Sequence, residues 1–117
     1  MDLVKRLRDT KPGEVGVSSI TLSELEFGIA KSAQPIRNGI ALFKFLAPLE
    51  IIPYGEGAAK EYGWIRMELE RSGRRIRDLD MLIAAHALSL DCSLVTNNER
   101  EFRRVPSLRV ENWTNGS

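Results

Sequence analysis

Apolar residues recur at helical spacing through residues 78–90, where Leu79, Leu82, Ile83, His86 and Leu90 fall on one stripe. Ala84, Ala85 and Ala87 keep this helix thin enough to lie close against a sheet. Asp78 and Asp80 stand in its first turn, where the helix dipole favours negative charge. Residues 93–96 are short, apolar and partly β-branched, the pattern of a buried strand. They stop at Asn97 and Asn98, which read as a turn and a helix start. Helix, buried strand, polar turn and helix in this order form half of an α/β crossover unit. Ligands in such sheets sit beyond the carboxyl ends of the strands, which directs attention to Asp80 and Asn98.

The rest of the chain extends the pattern. Residues 2–8, with Leu3, Val4 and Leu7 on one side, read as the last turns of a helix closed by Pro12 and Gly13. Residues 15–20 read as a first strand. Thr21 and Glu24 then match the S/T-x-x-E capping box, so a helix is expected from Thr21, with Leu22, Leu25, Phe27 and Ile29 on its buried face. A second helix is expected over 38–46, and a short strand over 49–53, closed by Pro53. A longer helix follows over 58–71, with Tyr62, Ile65 and Leu69 in step and Ser72 and Gly73 ending it. Residues 99–104 form a short helix carrying Phe102, and the alternation over 108–113 reads as a closing strand. Four strands separated by helices predict an α/β sandwich with a mainly parallel sheet, a single domain over 1–113 and a loose tail over 114–117.

Composition narrows the chemistry. A chain of 117 residues with 43% hydrophobic and 28% charged residues can bury a real core and belongs with globular rather than disordered proteins. No apolar run is long enough to cross a bilayer, and the first residues lack the apolar core of a signal peptide. One cysteine, Cys92, excludes an internal disulfide and fits a reducing cytoplasm. One histidine and one cysteine cannot build the usual zinc site, so a metal here would take oxygen ligands, which points to magnesium or manganese. The net charge of +1 neither demands nor excludes nucleic acid.

Glu24, Asp80 and Asn98, with Glu101 one turn further on, fall where this fold would gather them. Two carboxylates ~4 Å apart repel by roughly 4 kcal/mol at an effective dielectric near 20. A divalent cation reverses that sign, and could polarise a phosphodiester and activate water. Arg74, Arg75 and Arg77 could hold phosphates of a polynucleotide. Each residue also has a plainer reading. Glu24 would close the capping box, Asp80 would complement the helix dipole, Asn98 would cap, and Glu101 would be a solvated helix residue. The arginines would form a solvated turn, His86 would be a core histidine, Cys92 a small buried residue, and Trp64 and Trp113 packing residues. On spacing alone these plainer readings prevail.

The order of motifs changes that balance. ITLSELEFG (20–28), LDMLIAAHA (79–87) and LVTNNEREF (94–102) closely resemble the PIN-domain family, and within it the VapC-type toxins of bacterial toxin–antitoxin pairs. The resemblance runs from about Leu3 to Trp113. It implies a three-layer α/β/α domain and a magnesium- or manganese-dependent endoribonuclease acting on RNA. It also implies a homodimer held in check by a cognate antitoxin. Matched by motif, Glu24 and Asp80 correspond to metal-binding acids. Asn98 stands where many relatives carry a late carboxylate, and Glu101 lies where this subgroup often places an acid. Family members begin with a central strand ending in an aspartate that is the first ligand. Nothing in residues 1–13 matches it, so the first strand is expected to be missing and activity impaired. The alternative is a non-catalytic remnant that binds RNA or antitoxin. A phosphoacceptor or nucleotide-binding domain ranks below both, since neither G-x-G-x-x-G nor a P-loop is present.

Overall fold

The computed structural model describes residues 5–8 and 15–112. Their elements run β1 (Arg6–Arg8), β2 (Val15–Ser18), α1 (Ser19–Ala30), α2 (Pro35–Leu46), β3 (Glu50–Ile52), α3 (Glu56–Arg71), α4 (Asp78–Ser89), β4 (Ser93–Val95), α5 (Glu99–Phe102) and β5 (Val110–Glu111). The strands form one sheet in the order β3-β2-β1-β4-β5. β2 pairs parallel with β3, and β4 with β5, while β1 is antiparallel to both its neighbours. Four strands therefore point one way and the central strand points the other.

β1 is the main departure from expectation. Residues 5–8 do not end a helix, and the sheet has no central gap. Leu7 pairs with Gly16 on one side and Leu94 on the other, and is buried. Arg6 and Arg8 flank it with partial exposure. That alternation has period two and suits a strand. Without β1, the inner edges of β2 and β4 would leave their backbone groups unpaired in the interior, a cost that recruits any segment able to fill the slot. Asp2 and Asp9, Trp113 and the tail 114–117 lie outside the described residues.

α1 begins two residues before the expected capping box. Ser18 is the N-cap, its Oγ accepting from the Ile20 N–H at 3.0 Å. The same Oγ lies 2.8 Å from His86 Nδ1, and both residues are buried. Tyr54 packs edge-on against the His86 ring. His86 is thus the core histidine that its apolar stripe foretold, and it ties α4 to the β2–α1 junction.

The core gathers Leu7, Ile65, Leu69, Met81, Ile83, Leu94 and Phe102 between α3, α4 and the central strands. α4 is buried over most of its circumference, from Asp80 to Ala87 apart from the half-buried Leu82. Its small alanines allow contact on several sides at once. The expected stripe is only partly right, because Leu79 and Leu90 at its ends are exposed. Phe27 on α1 and Trp64 on α3, expected to pack, are also exposed. Every residue of α2 retains exposure, including Ile36, Ile40 and Phe43 on its apolar side. Among the described residues no helix is long and apolar enough to cross a membrane.

Two outcomes follow from the Ser18–His86 contact. Ser18→Ala removes a helix cap and leaves a buried imidazole nitrogen without its partner, so urea denaturation should show a loss of about 2 kcal/mol. Burial pushes His86 below its ordinary value of 6.5, opposed in part by the Pro53 carbonyl. The unfolded chain therefore takes up this proton first on acidification. Stability should fall as pH drops below 6.5, and melts across pH 5–7 should show that slope reduced in His86→Gln.

Candidate active site

The rim at the carboxyl ends of β2 and β4 receives four segments. α1 leaves β2 there and carries Glu24 in its second turn. α4 begins there and carries Asp80 in its first turn. The turn after β4 brings Asn98 and α5. β1 runs the opposite way to its neighbours, so it delivers its beginning to this rim, and Lys5 stands just before it.

Lys5 Nζ lies 3.6 Å from Asp80 Oδ1 and 3.9 Å from Glu24 Oε1. One ammonium thus spans both carboxylates, and those two legs bound their separation: the acids face a common point. Arg77 makes a second bridge, at 3.3 Å to Glu24 Oε2 and 3.8 Å to Asp80 Oδ2. The Asp80 side chain has 0% exposure, and neither oxygen has a hydrogen-bond partner. Burial pushes its carboxyl above the ordinary carboxylate range. Lys5 opposes that shift, Glu101 adds to it, Arg77 opposes it, and Glu24 adds to it.

The plainer readings hold in part: Asp80 stands in the first turn of α4, where the dipole favours a negative charge. Glu24 closes no capping box, because α1 starts at Ser19. Asp80 makes no capping bond; the position before α4 is Arg77, and Asp78 pairs with Arg75, which holds its carboxyl below the ordinary range. Asn98 does occupy the position before α5, yet its side chain caps nothing and donates instead to Glu101. Glu101 also accepts the Arg77 backbone N–H at 3.1 Å, which fastens α5 to the start of α4. The basic loop divides. Arg75 is engaged by Asp78 and Glu70, whereas Arg77 folds onto the acids.

Lys5 is the residue that sequence reasoning missed. The signal was the alternation of Arg6, Leu7 and Arg8, three residues long and set against the helix-like spacing of Leu3, Val4 and Leu7. Among the described residues no three His, Cys, Asp or Glu side chains stand close enough to cage a metal ion. The pair Glu24 and Asp80 supplies hard oxygen donors of the kind magnesium and manganese take. Asp80, buried and without hydrogen bonds, is a donor left available to a cation.

Comparison with known proteins supplies the family. The PIN domain family model matches residues 1–108. A relative from Rickettsia felis, Ribonuclease VapC2, is 44% identical over 103 residues, spanning 88% of this chain and 77% of the relative. A tRNA(fMet)-specific endonuclease VapC from Shigella flexneri is 43% identical, over 87% of this chain and 77% of that protein. A solved Rickettsia felis VapBC2 complex bound to a promoter DNA fragment superposes with a TM-score of 0.82 at 45% identity, covering 84% of this chain and 74% of that one. DNA-bound VapBC from Salmonella typhimurium gives 0.80 at 46% identity, over 82% and 73%. The chain belongs to the PIN-domain family, and within it to the VapC-type ribonucleases of toxin–antitoxin systems. That family is generally dependent on a divalent metal.

Asp80→Asn keeps the shape of the buried carboxyl and removes its charge. Lys5 and Arg77 both retain contact with solvent, at 22% and 62% side-chain exposure, so neither is stranded by the change. In metal-free buffer at pH 7 the variant should melt about 4 °C or more above the parent, the shift of roughly 1 kcal/mol in a domain of this size. Scanning calorimetry in EDTA checks it.

Proposed function

We propose that this chain is an endoribonuclease whose Mg2+ or Mn2+ is held by Glu24 and Asp80 and whose substrate is a structured RNA. The observation that carries this reading is the Asp80 carboxylate, buried without a hydrogen bond and sharing one focal point with Glu24. Stability alone disfavours such a group, and function is the usual reason for keeping one. When bound, the cation would polarise the scissile phosphodiester and lower the pKa of the attacking water. Asn98 and Glu101, joined by a hydrogen bond at the same rim, would position that water. Arg74, and Arg75 and Arg77 once released from their acidic partners, would meet the flanking phosphates.

The partners follow the relatives. The solved neighbours are VapBC toxin–antitoxin complexes, so an antitoxin is the expected protein partner here, with the toxin as a homodimer in the cytoplasm. A groove of about 460 Å³ between α1 and α2, lined by Glu24, Leu25, Ile29, Leu42 and Phe45, is mostly apolar and suits such a segment. Phe27, Ile36 and Phe43 on the same two helices are exposed as well, outside the lining of this groove. One domain over residues 1–113, followed by a short tail over 114–117, would carry both the acidic site and this groove.

A second reading is a non-catalytic remnant that binds antitoxin or RNA. The two cations already seated on Glu24 and Asp80 favour it. Cleavage assays on a panel of structured RNAs, tRNAs included, separate the two. We expect slow, metal-dependent cleavage that EDTA and Asp80→Asn each abolish, with Glu24→Gln reduced at least tenfold. Cleavage that persists in Asp80→Asn defeats the proposed site. Antitoxin binding with no cleavage at any metal concentration selects the second reading.

A further inference from the structure

The charges at the rim come from every element that meets there. Lys5 precedes β1, Glu24 lies on α1, Arg77 and Asp80 begin α4, and Glu101 lies on α5. Three carboxylates and two cations leave a net charge of −1, against the +2 of the ion the family uses. Arg77 reaches the acids from the outer side, with most of its side chain in solvent. Lys5 is different. It is the cation that contacts Asp80 Oδ1 and Glu24 Oε1 together while mostly buried itself. An ion coordinated by the same two oxygens at about 2.1 Å would leave no room for an ammonium bridging them.

The antiparallel course of β1 is the cause. A strand parallel to β2 and β4 would bring its carboxyl end to this rim, where the family places an acid. Running the other way, β1 brings its amino end there, and the residue delivered is a lysine. The geometry points to Lys5 as a resident counter-ion: its ammonium occupies the Glu24–Asp80 site, and a divalent cation binds only by displacing it. This rests on the reading of Glu24 and Asp80 as the metal donors, and assigns the chain an internal competitor for that metal.

The consequence is an exchange between two cations. With Lys5 in place the buried Asp80 charge is compensated and the fold needs no metal. Without Lys5 the site carries one more net negative charge, and a unit charge beside a doubly charged ion at an effective dielectric near 20 is a large term. Lys5→Met, which keeps the length of the side chain and removes the charge, should therefore bind Mn2+ at least tenfold more tightly than the parent. It should also lose thermal stability in EDTA and regain it with Mn2+, while the parent's midpoint moves little. Lys5→Arg should behave as the parent.

Mn2+ binding by electron paramagnetic resonance and melting curves with and without Mn2+ read both effects without any assay of cleavage. Equal Mn2+ affinity in the parent and Lys5→Met overturns the proposal. Absence of binding in both defeats the metal-site reading itself, and this inference with it. Should Lys5→Met refold only with Mn2+, the exchange is supported. Should it fail to fold at all, the parent labelled with 13C at lysine Cε decides. Saturating Mg2+ must shift the Lys5 resonance, identified by its loss in Lys5→Arg, and an unmoved resonance overturns the proposal.

Discussion

A carboxylate with no exposure and no hydrogen bond is the constraint around which this molecule is arranged. Removing an ionised group from water costs several kcal/mol, and only nearby opposite charge or a bound cation offsets it. Asp80 has both kinds of remedy within reach. Lys5 and Arg77 lie beside it, and Glu24 faces the same point and completes a pair of oxygen donors. Burial raises the Asp80 carboxyl above its ordinary range; Lys5 and Arg77 oppose that rise, and Glu101 and Glu24 add to it.

The fold makes this arrangement obligatory. From Asp80 onward α4 is packed on nearly all sides, which keeps the Asp80 side chain out of solvent although Asp78 and Leu79 before it are exposed. The Ser18–His86 contact fixes α4 against the junction from which α1 departs, and so holds Asp80 in place relative to Glu24. On the other flank, Glu101 accepts the Arg77 backbone N–H and pins α5 to the same turn. The acidic cluster is therefore positioned by helix packing and not by a flexible loop, which suits a site that must hold charge at fixed distances.

The central strand links stability to function. Any three-residue segment able to pair with β2 and β4 would seal the sheet, and backbone hydrogen bonding is indifferent to which way it runs. Direction nevertheless decides which end of the segment, and so which residue, reaches the rim that carries Glu24 and Asp80. A segment accepted for its backbone thereby determines the charge beside Glu24 and Asp80. The residue so delivered is Lys5, and its ammonium lies between the two carboxylates.

Much of this was legible in the sequence. The apolar spacing through residues 78–90 and the short run at 93–96 gave the α4–β4 unit, because such patterns are local and carry their own periodicity; the PIN fold came from the resemblance of the three motifs to that family. Glu24 and Asp80 were named from motif positions, and the structure brings them together. Residues 5–8 were misread because three residues of alternation are too few to outweigh a helix-like apolar spacing. Only the vacant slot between β2 and β4 makes them a strand. Leu79, Leu90, Phe27 and Trp64 were misplaced because periodicity says which residues share a face, not how far the neighbouring elements extend to cover it. The ammonium seated between the two acids was decided by tertiary structure alone: it depends on the antiparallel register of β1, and nothing near Lys5 in the chain encodes Glu24 or Asp80.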